Sequence, residues 1–228
     1  NRLCHKLGCR GYPDCKLRLA QEISTNTHLF VQDIGSAEDS PVIIKKILQS
    51  IHSSIELLSS GLDPSALDEA ANAVAGCRSV NFFGMGASSS VALDAQHKFF
   101  RFGIPAIAHT DFINQRMISS MLQSEDVGIF ISYTGRTKPM IENAKLAKQH
   151  GATLIGITSA SSALAEQCDI VLNAQSDEDT DLYTPMSSRI AHLAVIDMLA
   201  TKVALTLGKD VEEHIKSIKL NLSQTRVD

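Results

Sequence analysis

The chain lacks the features that would place it in a special class. Its five cysteines are odd in number and include no CxxC pair, so a disulfide framework is not expected and reduced thiols are. Cys4, Cys9 and Cys15 with His5 fall at spacings that fit no common zinc site, so no metal is expected. No basic, apolar, small-residue leader opens the sequence, and the long apolar run from Ile190 to Leu207 is broken by His192, Asp197 and Lys202. A cytoplasmic protein with no membrane contact is the default expectation. Internal repeats and low-complexity tracts are also missing. With 44% hydrophobic and 20% charged residues, the composition is that of a globular protein and not of a disordered one.

The net charge of -4 conceals an asymmetry. Residues 1–22 carry Arg2, Lys6, Arg10, Lys16 and Arg18 against Asp14 and Glu22, and the remainder is acidic. A small basic segment on an acidic body suits a DNA-reading module attached to a sensor, although a solvated helix face gives the same charge pattern. Asn1 to Leu7 already has helical spacing with no cap before it and Gly8 as a stop, which reads as a fragment of a longer helix. A turn from Gly8 to Pro13 leads into a second basic helix from about Asp14 to Ile23, and residues 24–39 read as a linker.

Two helices should follow. Ser40-Pro41 and Asp63-Pro64 each pair an N-capping side chain with a proline at the first helical position, and Gly76 ends the second helix. In the first, Ile44, Leu48, Ile51, Ile55 and Leu58 form a stripe that must be buried, against the sheet or against a second copy of the chain. From Ser79 onward strand and helix patterns alternate. Apolar β-rich runs appear at Val80 to Phe83, Ile104 to Ala108, Val127 to Tyr133, Thr153 to Thr158 and Ile170 to Leu172. Helical stretches lie at Ser88 to Phe102, Asp111 to Met121, Thr137 to His150 and Ser161 to Cys168, with closing helices at Ser187 to Leu207 and Asp210 to Leu222. The expected fold is α/β: a doubly wound parallel five-stranded sheet covered on both faces. The helix from Ser187 is apolar nearly all round, which makes it a second possible contact in a homodimer or larger homo-oligomer.

Ligands of such sheets bind beyond the carboxyl ends of the strands, so the loops there carry the chemistry. The first is Gly84-Met85-Gly86-Ala87-Ser88-Ser89-Ser90, where glycines allow close backbone approach and hydroxyls meet a helix start. Alone it also fits an imperfect dinucleotide fingerprint, with Ser89 at the third glycine position and Asp111 as the ribose acid, or a capped turn with no ligand. The second is Ser132-Tyr133-Thr134-Gly135-Arg136-Thr137. Two donor-rich cradles suit a phosphate monoester, whose oxygens each accept more than one hydrogen bond, better than they suit a dinucleotide.

GMGAS after one strand and S-x-[ST]-G-x-T after another resemble the two phosphosugar-binding loops of the sugar isomerase (SIS) domain family, and the likeness spans residues 39–228. It implies that Ser88, Ser132, Thr134 and Thr137 meet the phosphate, with Gly84, Gly86, Ala87, Ser89, Tyr133, Gly135 and Arg136 in the same loops. Residues 1–38 resemble the end of the helix-turn-helix domain plus linker of RpiR-type transcription regulators, with Gly11-Tyr12 and a Lys16-x-x-Leu19-Ala20 helix, and are most similar to the HexR subgroup. This implies an N-terminally truncated regulator of sugar catabolism with operator DNA as partner. Asn1, Arg2, Lys6, Arg10, Tyr12 and Lys16 would face the DNA, and the implied effector is 2-keto-3-deoxy-6-phosphogluconate. No cofactor is implied.

The alternative is an SIS-type sugar phosphate isomerase, which needs a base to move a proton between adjacent carbons. Glu142, His97, His109 and His192 are candidates by type, but no spacing marks any of them, so no catalytic residue is assigned. An acidic sugar would need a cation for its carboxylate; Arg136 in the second loop and Arg189, beside the Ser187-Ser188 pair, are the candidates.

Overall fold

The computed structural model describes residues 12–14, 16, 34, 38–176, 178 and 185–223. Tyr12, Pro13, Asp14 and Lys16 are helical, so this helix has begun by Tyr12 and not at Asp14; the fixed φ of Pro13 suits a first helical turn. Tyr12 and Lys16 are exposed. Asn1, Arg2, Lys6 and Arg10 lie outside the described residues, as do Cys4, Cys9 and Cys15.

Helices α1 (Ser40–Gly61) and α2 (Pro64–Ala75) begin at the proline signals. Asp39, not Ser40, occupies the cap position of α1, and at α2 the Asp63 carboxylate accepts from the Ser65 amide at 2.9 Å. The alternating region then forms β1 (Ser79–Gly84), α3 (Ala87–Phe99), β2 (Ala106–His109), α4 (Phe112–Ser119), β3 (Asp126–Ile131) and α5 (Lys138–Gln149). It continues with β4 (Thr153–Thr158), β5 (Ile170–Asn173), α6 (Ser187–Leu207) and α7 (Lys209–Ser223). Strand β2 starts later than the apolar run suggests because Pro105 has no amide to donate, and only its carbonyl joins the sheet, accepting from Val80 N at 2.9 Å.

The five strands are all parallel, in the order β2-β1-β3-β4-β5. Alternate side chains enter two cores. Val80, Phe82, Val127 and Ile129 pack with α2, α3 and α6, whereas Phe83 and Phe130 stack at 4.3 Å on the face covered by α5. Burial of both faces explains why the central strands are unbroken apolar runs.

Helix α6 packs against α1, α2 and α3 and sends its buried residues into the core, while its Met198 and Leu205 are 38% and 73% exposed. Its length and apolarity would also suit a membrane span, but its buried residues belong to the central core. The stripe on α1 divides: Leu58 is buried, while Ile44 and Leu48 are 59% and 60% exposed. The helix expected at Ser161 to Cys168 is reduced to a 3-10 turn at Ala165–Gln167. There Ser162 is drawn under the second loop, and its hydroxyl accepts from Ala165 N at 3.2 Å. Cys77 and Cys168 are free thiols that burial pushes up to about 11 and about 12, so both stay protonated near neutrality.

At the amino ends of the central strands a polar clamp holds β1 to β3. The buried Asp126 carboxylate accepts from Arg78 at 2.5 and 3.0 Å, from the Ser79 hydroxyl at 2.8 Å and from the Gln123 amide at 3.0 Å. Burial disfavours its charge, but the hydrogen bonds from Arg78, Ser79 and Gln123 outweigh that and hold its pKa below the usual carboxylate value. A depressed folded pKa contributes stability that is present above the unfolded value, near 4, and is lost as pH falls through the folded one. Asp126→Asn should therefore cost about 1 to 3 kcal/mol at neutral pH. Urea denaturation of both proteins should find this deficit constant from pH 7 to 5 and shrinking below about pH 4.

Candidate functional site

Because β1 and β3 are neighbours while the chain winds outward to β2 on one side and to β4 and β5 on the other, the loops after β1 and β3 part at their carboxyl ends. A cleft of about 140 Å³ lies there. The first loop contributes Met85, Ala87 and Ser88, and the second contributes Ser132, Tyr133, Thr134 and Thr137. The start of α6 contributes Ser188, Arg189 and His192. Val91, Ile131, Met140 and Pro185 complete the apolar part of the lining.

Local geometry selects which hydroxyls face the cleft. Gly86 adopts φ +56° to turn the chain into α3, and Ser89 and Ser90 fold their hydroxyls back onto Gly86 O at 2.5 Å and Ala87 O at 2.8 Å. Ser88 is left as the serine of that triplet on the cleft. A Cβ on Gly84 would stand 2.4 Å from Ser88 O, so the glycine lets α3 press against the end of β1. In the second loop Gly135 has φ +58°, and a Cβ there would stand 2.1 Å from the Ser162 hydroxyl and 2.6 Å from that of Thr158. Thr158 and Ser162 are buried and 3.2 Å apart, a floor beneath the loop that the sequence reading did not identify.

Thr137 is the N-cap residue of α5, yet its side chain makes no capping bond and faces the cleft. Three helix starts thus converge on one space, through Ser88, Thr137 and Ser188. Each brings the positive end of a helix dipole together with a hydroxyl. Arg189 is the only charged residue among the described lining, and it makes no hydrogen bond or ion pair among the described residues. A cleft built this way has an excess of hydrogen-bond donors and favours negative charge.

Residues 74–202 match the SIS domain family. A HexR transcriptional regulator of the helix-turn-helix type from Pseudomonas aeruginosa is 42% identical over 226 residues, spanning 99% of this chain and 79% of that protein. HexR of Escherichia coli is 37% identical over 228 residues, spanning 100% and 79%. The chain belongs to the SIS-domain transcriptional regulators that include HexR. Among solved structures, Vibrio vulnificus NanR complexed with ManNAc-6P superposes with a TM-score of 0.78 at 22% identity, over 100% of this chain and 81% of that one, a likeness of fold.

Not every residue of the expected site reaches the cleft wall. Ala87, Ser88, Ser132, Tyr133, Thr134, Thr137 and Arg189 line it. Gly84, Gly86 and Gly135 shape the loops from behind, Ser89 bonds its own helix, and Ser187 is buried beside the cleft. The Arg136 side chain is exposed and lies outside the lining. Of the four acid-base candidates only His192 lines the cleft; His97 and Glu142 lie outside it, and His109 is hydrogen-bonded to Asn81 at 3.0 Å. His192 and Ser188 are separated by one helical turn, a spacing that puts both on one face and was readable in the sequence.

His192 is 1% exposed and its Nε2 has no hydrogen-bond partner among the described residues. Burial lowers its pKa to about 4, against a weaker opposing pull from Glu178. The ring is therefore neutral across the physiological range. Because the folded pKa lies below the unfolded value of about 6.5, the unfolded chain takes up the proton first, and stability falls as pH drops from about 6.5 to 4. Thermal unfolding of His192→Leu should follow a flatter pH profile than the wild type over that window. Parallel profiles for the two proteins would contradict the assignment.

Proposed function

We propose that the chain is a regulator of sugar catabolism in which residues 39–228 sense a phosphorylated sugar and residues 1–38 belong to the DNA-contacting part. The observation that carries this reading is the convergence of the starts of α3 and α5 with the Ser88, Ser132 and Thr137 hydroxyls, none of which hydrogen-bonds within the described residues, on a cleft whose described lining contains no carboxylate. A phosphate needs donors on every side, and these groups supply them. NanR, solved with ManNAc-6P, is a relative in fold that binds a sugar phosphate.

The finer effector is an acidic sugar phosphate such as 2-keto-3-deoxy-6-phosphogluconate. Arg189, which lines the cleft, is the cation for its carboxylate. Sensing is favoured over isomerisation because the HexR relatives are transcriptional regulators and because no Asp or Glu stands beside His192 among the described lining residues. DNA contact through Tyr12 and Lys16, both exposed, and the basic residues before them makes operator DNA in the cytoplasm the macromolecular partner.

Thermal shift with a panel of sugars tests the reading. A sugar phosphate at about a hundred times its Kd should add about 2.7 kcal/mol of stability, and its unphosphorylated parent should add none. Ser88→Ala and Ser132→Ala should each weaken binding by about 1.5 to 3 kcal/mol, as for hydrogen bonds to a charged group. Equal shifts from phosphorylated and plain sugars would sink it.

The chain is also proposed to act as a homodimer or larger assembly. Ile44 and Leu48 on α1 are apolar, exposed and one turn apart, and they extend a stripe whose far end is already buried. Light scattering at micromolar concentration should give at least twice the chain mass, and Ile44→Lys with Leu48→Lys should reduce it. A monomer mass for the wild type rules the assembly out.

A further inference from the structure

The start of α6 holds an anion that belongs to the chain itself. Glu178, in the connection from β5, directs Oε1 to the amides of Met186 at 2.7 Å and Ser187 at 3.1 Å. Its Oε2 accepts from the Ser188 amide at 3.1 Å and from the Ser188 hydroxyl. Helix α6 has no acidic residue in its own first turn, so this carboxylate, eight to ten residues upstream, serves as its cap.

One of these donor residues reaches the cleft. Ser188 lines it, as do Arg189 and His192 on the following turn. The His192 Nε2 is buried and, among the described residues, has no hydrogen-bond partner. Tyr133, from the second loop, donates its hydroxyl to the carbonyls of Ser176 and Glu178 and so ties the segment carrying the carboxylate to the phosphate side of the cleft. This end of the cleft therefore has the donors of an anion subsite, and a carboxylate already satisfies them.

Two carboxylates cannot share these donors without repelling each other, and a bound phosphate nearby adds to the penalty. A neutral sugar phosphate leaves Glu178 undisturbed. An acidic one can use the amides and the Ser188 hydroxyl only in its place. We propose that Glu178 is a tethered competitor: the carboxylate of the ligand exchanges with it at the amides of Met186, Ser187 and Ser188 and gains contacts to Arg189 and to the His192 Nε2. This rests on the phosphosugar reading above. The exchange lowers the affinity for acidic ligands by the fraction of molecules in which Glu178 has let go, and so sets the concentration at which the sensor responds.

Two arms test it on the full 228-residue chain. The first is calorimetry with 6-phosphogluconate and glucose 6-phosphate, which share the phosphate and the carbon chain and differ in a carboxylate at the first carbon. Glu178→Gln removes the competing charge at nearly constant size; it should tighten 6-phosphogluconate about tenfold and leave glucose 6-phosphate within about twofold of the wild type. An unchanged ratio of the two affinities, or an equal loss for both, overturns the exchange. The second arm needs no sugar. Glu178→Ala leaves the donors without their cap, so sodium acetate should raise its Tm, with sodium chloride at equal ionic strength as control, and should not raise that of the wild type. No rescue by acetate overturns the anion subsite. Failure of both sugar phosphates to bind wild type and variant alike would end the phosphosugar reading and the exchange with it, whereas acetate rescue would still locate an anion subsite at α6.

Discussion

The parallel pairing of β1 with β3 is the constraint from which the rest of the site follows. It runs from Ser79 opposite Asp126 to Gly84 opposite Ile131, so the two strands end level and their loops emerge side by side. With β2 beyond β1 and β4 beyond β3, the chain diverges at this point, and no crossover covers the gap. The pairing is held at its amino end by the Arg78–Asp126 clamp and near its carboxyl end by the Phe83–Phe130 stack. An error of one residue in register would turn these side chains to the wrong face and separate the loops that must converge.

What converges is a set of donors whose accessibility depends on close steric fits. Gly84 lets α3 approach β1, and Gly135 lets the second loop lie on Thr158 and Ser162. Each fit brings a helix start and a hydroxyl to the same space. The positive ends of α3, α5 and α6 make an environment in which a negative charge is favoured before any single hydrogen bond is counted. At the α6 end the chain supplies that charge itself, from Glu178, and at the other end it does not. The cleft is therefore asymmetric: a free cradle faces a capped helix, with the neutral His192 and Arg189 beside the cap.

Much of this was legible in the residue order. The five apolar runs, the proline-marked helix starts of α1 and α2 and the span Ser187–Leu207 correspond to observed elements because periodicity and capping are local properties of the chain. The segment from Ser161 to Cys168 departs from its helical pattern because Ser162 is needed beneath Gly135, a tertiary requirement that outweighs local propensity. Part of the apolar surface of α6 packs against three helices of its own chain, which periodicity cannot distinguish from a second subunit.

The sequence by itself determined the α/β class, the two donor-rich loops and the family, since each is written in short contiguous patterns. The tertiary structure alone decided which hydroxyls face the cleft, because Ser89 and Ser90 find carbonyls within their own helix and Ser88 does not. It alone placed His192 in the cleft wall with an unpartnered nitrogen. It alone joined Glu178 to the first turn of α6 and Tyr133 to the backbone of Glu178, contacts across 10 and 45 residues of chain. Hydrogen bonds of that kind depend on where the strands and helices bring distant atoms together, and no local spacing encodes them.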